Sequence, residues 1–591
     1  MLVEHAVLPE TQVSARTQLR ARCSGRPHPG PVAIRMLRLL GGAYRGRPGR
    51  SVAVQTGLVV LAVVAQLLTM LWLARWNGAF FDALEASDRA EVVRQIWMFL
   101  AIVGAWMLAQ TGGIIAKRRF VITLRRDLTT RLIASWMAEG RHLRIRNLGG
   151  RLDNEDGRIA EDARVTCEMG VELFASMLYA LLQFAVFIGV LWISSGSATL
   201  RLAGLEIAVP GYMVWIALLY AAFSAGITVQ VGRPLVRATD ARQAAEADLR
   251  AGLLASLAHS PAIALTEAEP GERRRLIGHF AHVGETWSLQ SRFFRNLLFL
   301  SSGFGLLTAG LPLLILAPGY LAGAVSLGTV MELQVAFGQV VAALFWLTDS
   351  YPSIAQWEAS AERVLALSDA VDDVAEQSCG TAPGRVMRAA ENGPELAFSD
   401  VTVLAPTGET LVDHFSAVIR PSERVLLEAN PQAAAALFRA IAGLSPWGAG
   451  RIELPEGATL MFLGERPYLP RGRLAEALAD PLTLDAFPRP ALVEAMLSAG
   501  VAHLVPLLDE SAEWEEEIGI EDQQRLGFAR CLLRAPDWIL LHDATSAVGP
   551  AEEQRLLALL NERLPRTAVI AIAHRAPPEA IYGRRIVIQS G

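Results

Sequence analysis

Lysine is almost missing from this 591-residue chain: of 54 basic residues only Lys117 is a lysine, and the others are arginine. A GC-rich coding bias accounts for most of such a skew, and composition serves only as a prior. Cysteine is scarce too. Cys23, Cys167, Cys379 and Cys531 lie far apart. No pair has the spacing of a zinc site or a redox motif, so neither a metal centre nor a disulfide framework is indicated. Charged residues are only 19% of the chain and the net charge is −5, which leaves no electrostatic footprint for nucleic acid. The first 50 residues lack an early apolar run and a small-residue cleavage site, and they carry Glu4 and Glu10. They read as a cytoplasmic tail with a short amphipathic stretch near Ile34–Leu40, not as a secretory signal.

What the chain has in abundance is long apolar runs. The hydrophobic fraction is 52% and the mean hydropathy +0.33. A membrane-spanning helix needs about 20 mostly apolar residues, and six segments qualify: 55–75, 97–116, 172–194, 209–229, 296–317 and 326–348. Arginine crowds the connections 117–164 (Arg118, Arg119, Arg125, Arg126, Arg131) and 230–295 (Arg233, Arg237, Arg273, Arg274, Arg275). The connections 76–96, 195–208 and 318–325 carry few. The positive-inside rule then places both termini and the two long connections in the cytoplasm, with membrane helices continuing into those connections. After residue 390 the pattern changes. Short apolar runs such as Val425–Leu427 and Trp538–Leu541 alternate with helical ones such as Ala433–Leu444, as in an α/β domain. The expected organisation is a tail (1–50), a six-span membrane domain (51–365), a polar linker with Gly380 and Pro383 (366–394) and an α/β domain (395–591).

Between spans two and three lies DNEDGRIAED (153–162), close to LRRDLTTRLIASWM (124–137). WNGAFFDALE (76–85), VPGYMVWIALLY (209–220), GRPLVR (232–237) and AFGQVVAALFWLTDSY (336–351) flank it. Together these segments resemble the SbmA/BacA-like transporters and the related ABCD-type ABC transporters, over nearly the whole chain from about residue 50. Glu155 and Gly157 stand where that group usually has Pro and Gln. The resemblance implies a type IV exporter-like membrane fold of six helices joined to a P-loop NTPase-like ABC domain. It also implies a dimer of halves, as a homodimer or with a related partner. The substrates it suggests are peptides, cobalamin-like molecules or acyl compounds, and the location a bacterial inner membrane. Asp153, Asp156, Arg158, Glu161 and Asp162 would form a charged surface coupling the membrane helices to a soluble domain. A solvated helix face is the other reading of such a run.

Residues 395–591 follow the order of an ABC nucleotide-binding domain, and ATP with Mg²⁺ is implied by that resemblance alone. The positions that bind and cleave ATP are altered. A phosphate loop uses glycines to aim successive N–H groups at phosphates and a lysine to reach the β/γ oxygens. The aligned stretch 428–436 reads Glu428-Ala429-Asn430-Pro431-Gln432-Ala433-Ala434-Ala435-Ala436. Ala434 takes the lysine position, Ala435 lacks the hydroxyl for Mg²⁺, Pro431 removes an N–H, and Glu428 adds negative charge. In the signature segment Ser-x-Gly becomes Gly519-Ile520-Glu521, and a carboxylate there repels a γ-phosphate. His542 replaces the Walker B Asp, Asp543 the catalytic Glu, Glu465 the Q-loop Gln, and Gly549 the D-loop Asp. Only His574, the switch-loop histidine, is standard. Phosphoryl transfer depends on positioning and electrostatics, so the chain is expected not to be an active ATPase.

Three functions stay open from sequence: a transporter not driven by its own ATP hydrolysis and run on the proton gradient, the non-catalytic half of a heterodimer with an intact ATPase, and a non-transporting sensor or scaffold. Glu332, inside the sixth apolar segment, is a candidate proton carrier. A carboxylate at that depth costs a few kcal/mol on insertion scales, and such residues usually face a bundle interior or a water-filled cavity. A Glu near the membrane boundary, solvated or paired, is the plainer reading.

Overall fold

The computed structural model describes residues 31–45, 49–147, 152, 154–202, 205–378, 386–391, 393–405, 408–445, 447–573 and 582–588. The chain divides into two compact units. One comprises Pro29–Leu132 and Asn154–Leu365; in the other, Ile133–Asp153 is grouped with Ala366–Gly591.

Helices occupy α1 (Val32–Arg45), α2 (Gly49–Glu85), α3 (Arg89–Met137), α4 (Arg141–Asn147), α5 (Glu155–Ser194), α6 (Tyr212–Ala258), α7 (Ser260–Leu265), α8 (Glu269–Leu321) and α9 (Leu327–Ser378). Six are long and apolar enough to cross a membrane, and the chain is a multi-pass membrane protein. At 1.5 Å per residue the 53 residues of α8 reach about 80 Å, far beyond a hydrocarbon core of about 30 Å. The spanning helices therefore continue past the bilayer, as the periodic patterning of the long connections predicts.

Within the membrane unit the core gathers where α5, α6 and α9 meet. Phe187, Leu191, Met213, Ala217, Leu333, Phe337 and Val340 are fully buried there. Two ties join α6 to α8. Tyr220 donates to the Phe304 carbonyl at 2.6 Å. Farther along, Arg242 lies over the Trp287 ring at 4.4 Å, a cation–π contact. The fourth span starts later than the hydropathy run at 209. Val209 and Pro210 finish a hairpin of β1 (Ser197–Leu202) and β2 (Leu205–Pro210), and Gly211 turns the chain into α6 with φ +62. Hydropathy alone does not separate an apolar strand end from a helix start. At the other end of the domain, the expected linker 366–394 holds the last turns of α9 and a strand, β3 (Met387–Glu391). Gly380 and Pro383 lie outside the described residues.

In the second unit, a four-stranded sheet runs in the order β3-β7-β4-β5, with β4 (Leu396–Leu404), β5 (Thr410–Ile419) and β7 (Gly448–Pro455). A five-stranded parallel sheet runs β13-β6-β12-β11-β8. Its strands are β6 (Arg424–Glu428), β8 (Leu460–Leu463), β11 (Trp538–His542), β12 (Ala568–Ala573) and β13 (Arg584–Val587). Both short apolar runs singled out in the sequence, Val425–Leu427 and Trp538–Leu541, are central strands of that sheet, covered on both faces as parallel strands require. Helix α10 (Pro431–Ile441) packs between the sheets, with Leu427, Leu437, Leu540 and Ile570 in the shared core. Each such side chain contributes about 1.5–3 kcal/mol on burial. A helical layer follows: α11 (Leu474–Ala479), α12 (Arg489–Ala499), α13 (Trp514–Glu517) and α14 (Ile520–Arg534), with α15 (Pro550–Arg563) after β11. A minimal pair, β9 (Gly472–Arg473) and β10 (Ser511–Ala512), closes its edge.

Candidate functional site

The residues aligned with a phosphate loop form a helix start. Strand β6 ends at Glu428, and α10 begins at Pro431. Asn430 is its N-cap, with φ −64 and ψ 159. The Asn430 Oδ1 accepts the Ala433 N–H at 2.7 Å, and the Asn430 carbonyl accepts the Ala434 N–H at 2.9 Å. Asparagine is among the strongest N-caps, and proline suits the first helical position. A short polar residue followed by proline and an alanine run thus favours helix over loop. The N–H groups that a phosphate would use are consumed internally or, at Pro431, missing. Ala434 is 1% exposed and packed in the core. Beside it, the Glu428 carboxylate accepts from Arg585 Nε at 2.7 Å, an ion pair laid across two neighbouring parallel strands.

The end of β11 is equally changed. The His542 ring lies 5.3 Å from the Phe438 ring, tilted by 33°, and Phe438 meets Phe462 edge-on at 5.4 Å. An aromatic group thus stands where a Mg²⁺-organising carboxylate would. Asp543 follows with φ +50.

At the signature helix, Gly519 is the N-cap of α14, and Glu521 and Asp522 sit in its first turn. Arg525 donates to Glu521 at 2.6 Å, to Asp522 at 2.9 Å and to Glu552 at 3.2 Å. The positive end of the α14 dipole is already matched by carboxylates. Gln524 donates to the Glu465 carbonyl at 2.9 Å and to Ser546 at 3.0 Å, and accepts from the Ala547 N–H at 3.0 Å. The Glu465 carboxylate itself faces solvent. Gly549 caps α15. His574 lies outside the described residues, as does Asp153.

The charged run on α5 divides in two. Its helix holds a π turn at Arg158–Asp162. Arg158 and Asp162 are buried at 8% and 7% exposure. Asp162 accepts from Arg363 of α9 at 2.6 Å, and Arg158 donates to the Arg363 carbonyl at 3.0 Å. Asp156 is exposed, and Glu161 pairs with Arg164 at 3.7 Å. Part of the run is therefore an internal stitch from α5 to α9. Sequence reasoning missed Arg363, because its partners lie about 200 positions away.

It also missed Arg144. On α4, Arg144 Nη2 donates to the Gly443 carbonyl at 3.0 Å, in the turn just after α10. Gly443 has φ +74, which leaves its carbonyl turned outward. Nearby Arg388 has a guanidinium pKa lowered by burial and by the Arg144 charge.

Glu332 is half-buried on α9, opposite Gly78 of α2. One turn away, Asp82 accepts the Gly328 N–H at 2.9 Å and Glu85 accepts the Leu327 N–H at 3.0 Å. Carboxylates of α2 thus cap the start of α9, satisfying orphan N–H groups at the positive helix end.

Residues 46–317 match the family model described as ABC transporter transmembrane region 2. The chain is 25% identical to the inner membrane ABC transporter ATP-binding protein YddA of Escherichia coli (strain K12), over 88% of this chain and 91% of that protein. It is 23% identical to ABC transporter D family member 2, chloroplastic, of Arabidopsis thaliana, over 84% of this chain and 77% of the relative. A bacterial Atm1-family ABC exporter solved with ATP bound superposes with a TM-score of 0.65 at 18% identity, covering 90% of this chain and 93% of the other. That likeness establishes the fold: an exporter-type membrane domain joined to an ABC domain.

Proposed function

We propose that this chain, an ABC transporter with its membrane region fused to its ABC domain, moves a solute across the bacterial cytoplasmic membrane without hydrolysing ATP itself. The observation that carries this is the Asn430-capped, Pro431-led start of α10, with Ala434 buried. The residues present do not fit Mg-ATP. They offer neither lysine nor hydroxyl at the phosphate position, Glu428 and Glu521 bring like charge, and His542 replaces the metal-organising carboxylate. The proton gradient is the energy source this reading assigns, and the solute is a peptide, a cobalamin-like molecule or an acyl compound. Uptake in cells with the gradient collapsed and ATP intact tests it. Flux should stop, and undiminished flux would refute a gradient-driven mechanism.

A second reading is supported by one contact. Arg144 of α4 still bonds the turn after α10, so a link from the helical tip to the nucleotide-site helix persists. A non-catalytic subunit relaying the work of an intact ATPase partner would keep such a link. Uptake by the chain expressed without any related half distinguishes the two.

The transporter works as a dimer in this reading. Only 6% of the apolar window of α8 is buried within the chain, against 33% for α9, so lipid and a second half are left to cover it. Both termini are assigned to the cytoplasm from the arginine asymmetry. Reporter fusions after Glu85 and after Ala322 should read as external, and a cytoplasmic signal at either overturns the topology.

Glu332 is proposed to act in transport as a proton carrier. Glu332→Gln should lose most gradient-driven uptake while expressing and dimerising normally. Parent-rate transport by this variant across roughly pH 5.5–8, a range in which carboxylates in apolar sites titrate, would leave Glu332 a structural residue beside Gly78.

A further inference from the structure

The one lysine lies in a polar cavity inside the membrane unit. Helices α2, α3 and α5 enclose about 230 Å³ around Gln66, Gln110, Lys117 and Glu172. The Lys117 Nζ donates to both carboxylate oxygens of Glu172, at 2.9 and 2.7 Å. Gln66 donates to the Gln110 amide oxygen at 3.0 Å. Gly113 leaves the room for this, since a Cβ there would come within 2.7 Å of the Gln66 amide nitrogen. Val59, Val63 and Ala175 supply an apolar wall.

Two features separate this pair from an ordinary surface salt bridge. The first is chemical. A chain that uses arginine at every other basic position keeps lysine here. Arginine presents a wide planar fork, whereas lysine presents a compact point charge with three rotatable donors. A small cavity whose cation must change partners suits the second. The other feature is asymmetric exposure. The Lys117 side chain is 26% exposed and the Glu172 side chain 62%, so the cation is held while the carboxylate is free to swing away.

We infer that this cavity binds a small zwitterion, an α-amino acid with a short aliphatic side chain: its carboxylate takes Lys117, its ammonium takes the displaced Glu172, and its side chain meets Val59, Val63 and Ala175. The exchange leaves the cavity's net charge unchanged, so no uncompensated ion is created at the membrane, where one is expensive. A plain anion would displace Glu172 and leave it unpaired, and a plain cation would do the same to Lys117. The volume falls below the ~300–1,000 Å³ of drug-sized pockets, which limits the occupant to a few heavy atoms beyond its charged groups. The inference rests on the transporter reading in treating the occupant as solute.

Tritiated L-valine binding to the full chain in lipid nanodiscs tests it, with isovalerate (no ammonium) and isobutylamine (no carboxylate) as competitors. Valine should bind the parent chain and be displaced poorly by either competitor. Lys117→Met and Glu172→Gln should each weaken valine at least about tenfold, the scale of one lost charged hydrogen-bond set. Glu172→Gln should at the same time bind isovalerate better than the parent does, because the resident rival carboxylate is gone. A merely structural ion pair would not produce that gain. The double variant Lys117→Met/Glu172→Met removes the pair without orphaning a charge and should keep the parent's thermal transition while losing valine. The inference is overturned if valine does not bind the parent, if it binds the double variant equally well, or if isovalerate competes on the parent as strongly as valine. Absent valine binding with solute uptake intact would sink this inference alone. Valine binding with no flux into sealed vesicles would sink the transporter reading alone.

Discussion

Purified into lipid, the chain is expected to turn over no Mg-ATP above background, and His574→Ala should change nothing. Neutral kinetics after removing the one standard catalytic residue would show that no cycle runs through it. The expected loss is total because the defects are independent. Ala434→Lys alone should not restore turnover, since residue 434 is buried in the core between the sheets and a lysine there would cost several kcal/mol or move the helix. Even a lysine that escaped would meet a helix start whose N–H groups already bond Asn430. Turnover by the parent that His574→Ala abolishes would refute the reading of the site. Nucleotide binding without turnover would be compatible with it.

The other large effect concerns stability. Strand β7 crosses β4 with a register break between Ser399 and Thr402. There Gly448 has φ +146 and Gly450 has φ +88. A Cβ on Gly450 would overlap the Asp400 carbonyl oxygen, and one on Gly448 the Thr402 carbonyl oxygen. Neither obstacle is a flexible side chain, so the strands themselves would have to separate. Gly450→Ala should therefore cost about 3–5 kcal/mol, combining an unfavourable backbone region with a backbone clash. For a domain of this size each kcal/mol lowers the melting temperature by about 2–4 °C. A drop of roughly 10 °C in the melting of the detergent-solubilised chain is expected. Gly457→Ala, whose added Cβ meets nothing, should fall much less. Equal shifts would show that φ alone, and not the strand crossing, sets the penalty.

The parts legible in the sequence were those written in local pattern. Six spans announced themselves by apolar length, and the parallel strands by runs such as Val425–Leu427. The altered phosphate position could be found because Leu437–Leu444 fixed the spacing. The parts that stayed hidden depend on distant residues meeting. Lys117 and Glu172 stand 55 positions apart, and nothing local pairs them. Arg158 and Asp162 read as surface charge because their partner, Arg363, lies on another helix. Strand β3 escaped because an edge strand of five residues, Met-Arg-Ala-Ala-Glu, carries little alternation. The switch from loop to helix at Pro431 was half visible: proline and alanines were plain, but the Asn430 cap that completes the change was not weighed.

The π turn at Arg158–Asp162 can be put as a matter of chain length. A π turn holds one residue more than the α-helix around it needs, so α5 carries a surplus residue at the point where it meets α9. Deleting one residue there, Ala160 for instance, would let an uninterrupted α-helix form, yet it would turn everything on one side by about 100° relative to the other. Arg158 and Asp162 could not then both reach Arg363, or else the buried face of span three would rotate away from Phe337. The surplus residue reconciles two facings that a regular helix cannot hold together. Single-residue deletions and insertions should therefore be far less tolerated in this turn than in the hairpin tip near residue 203.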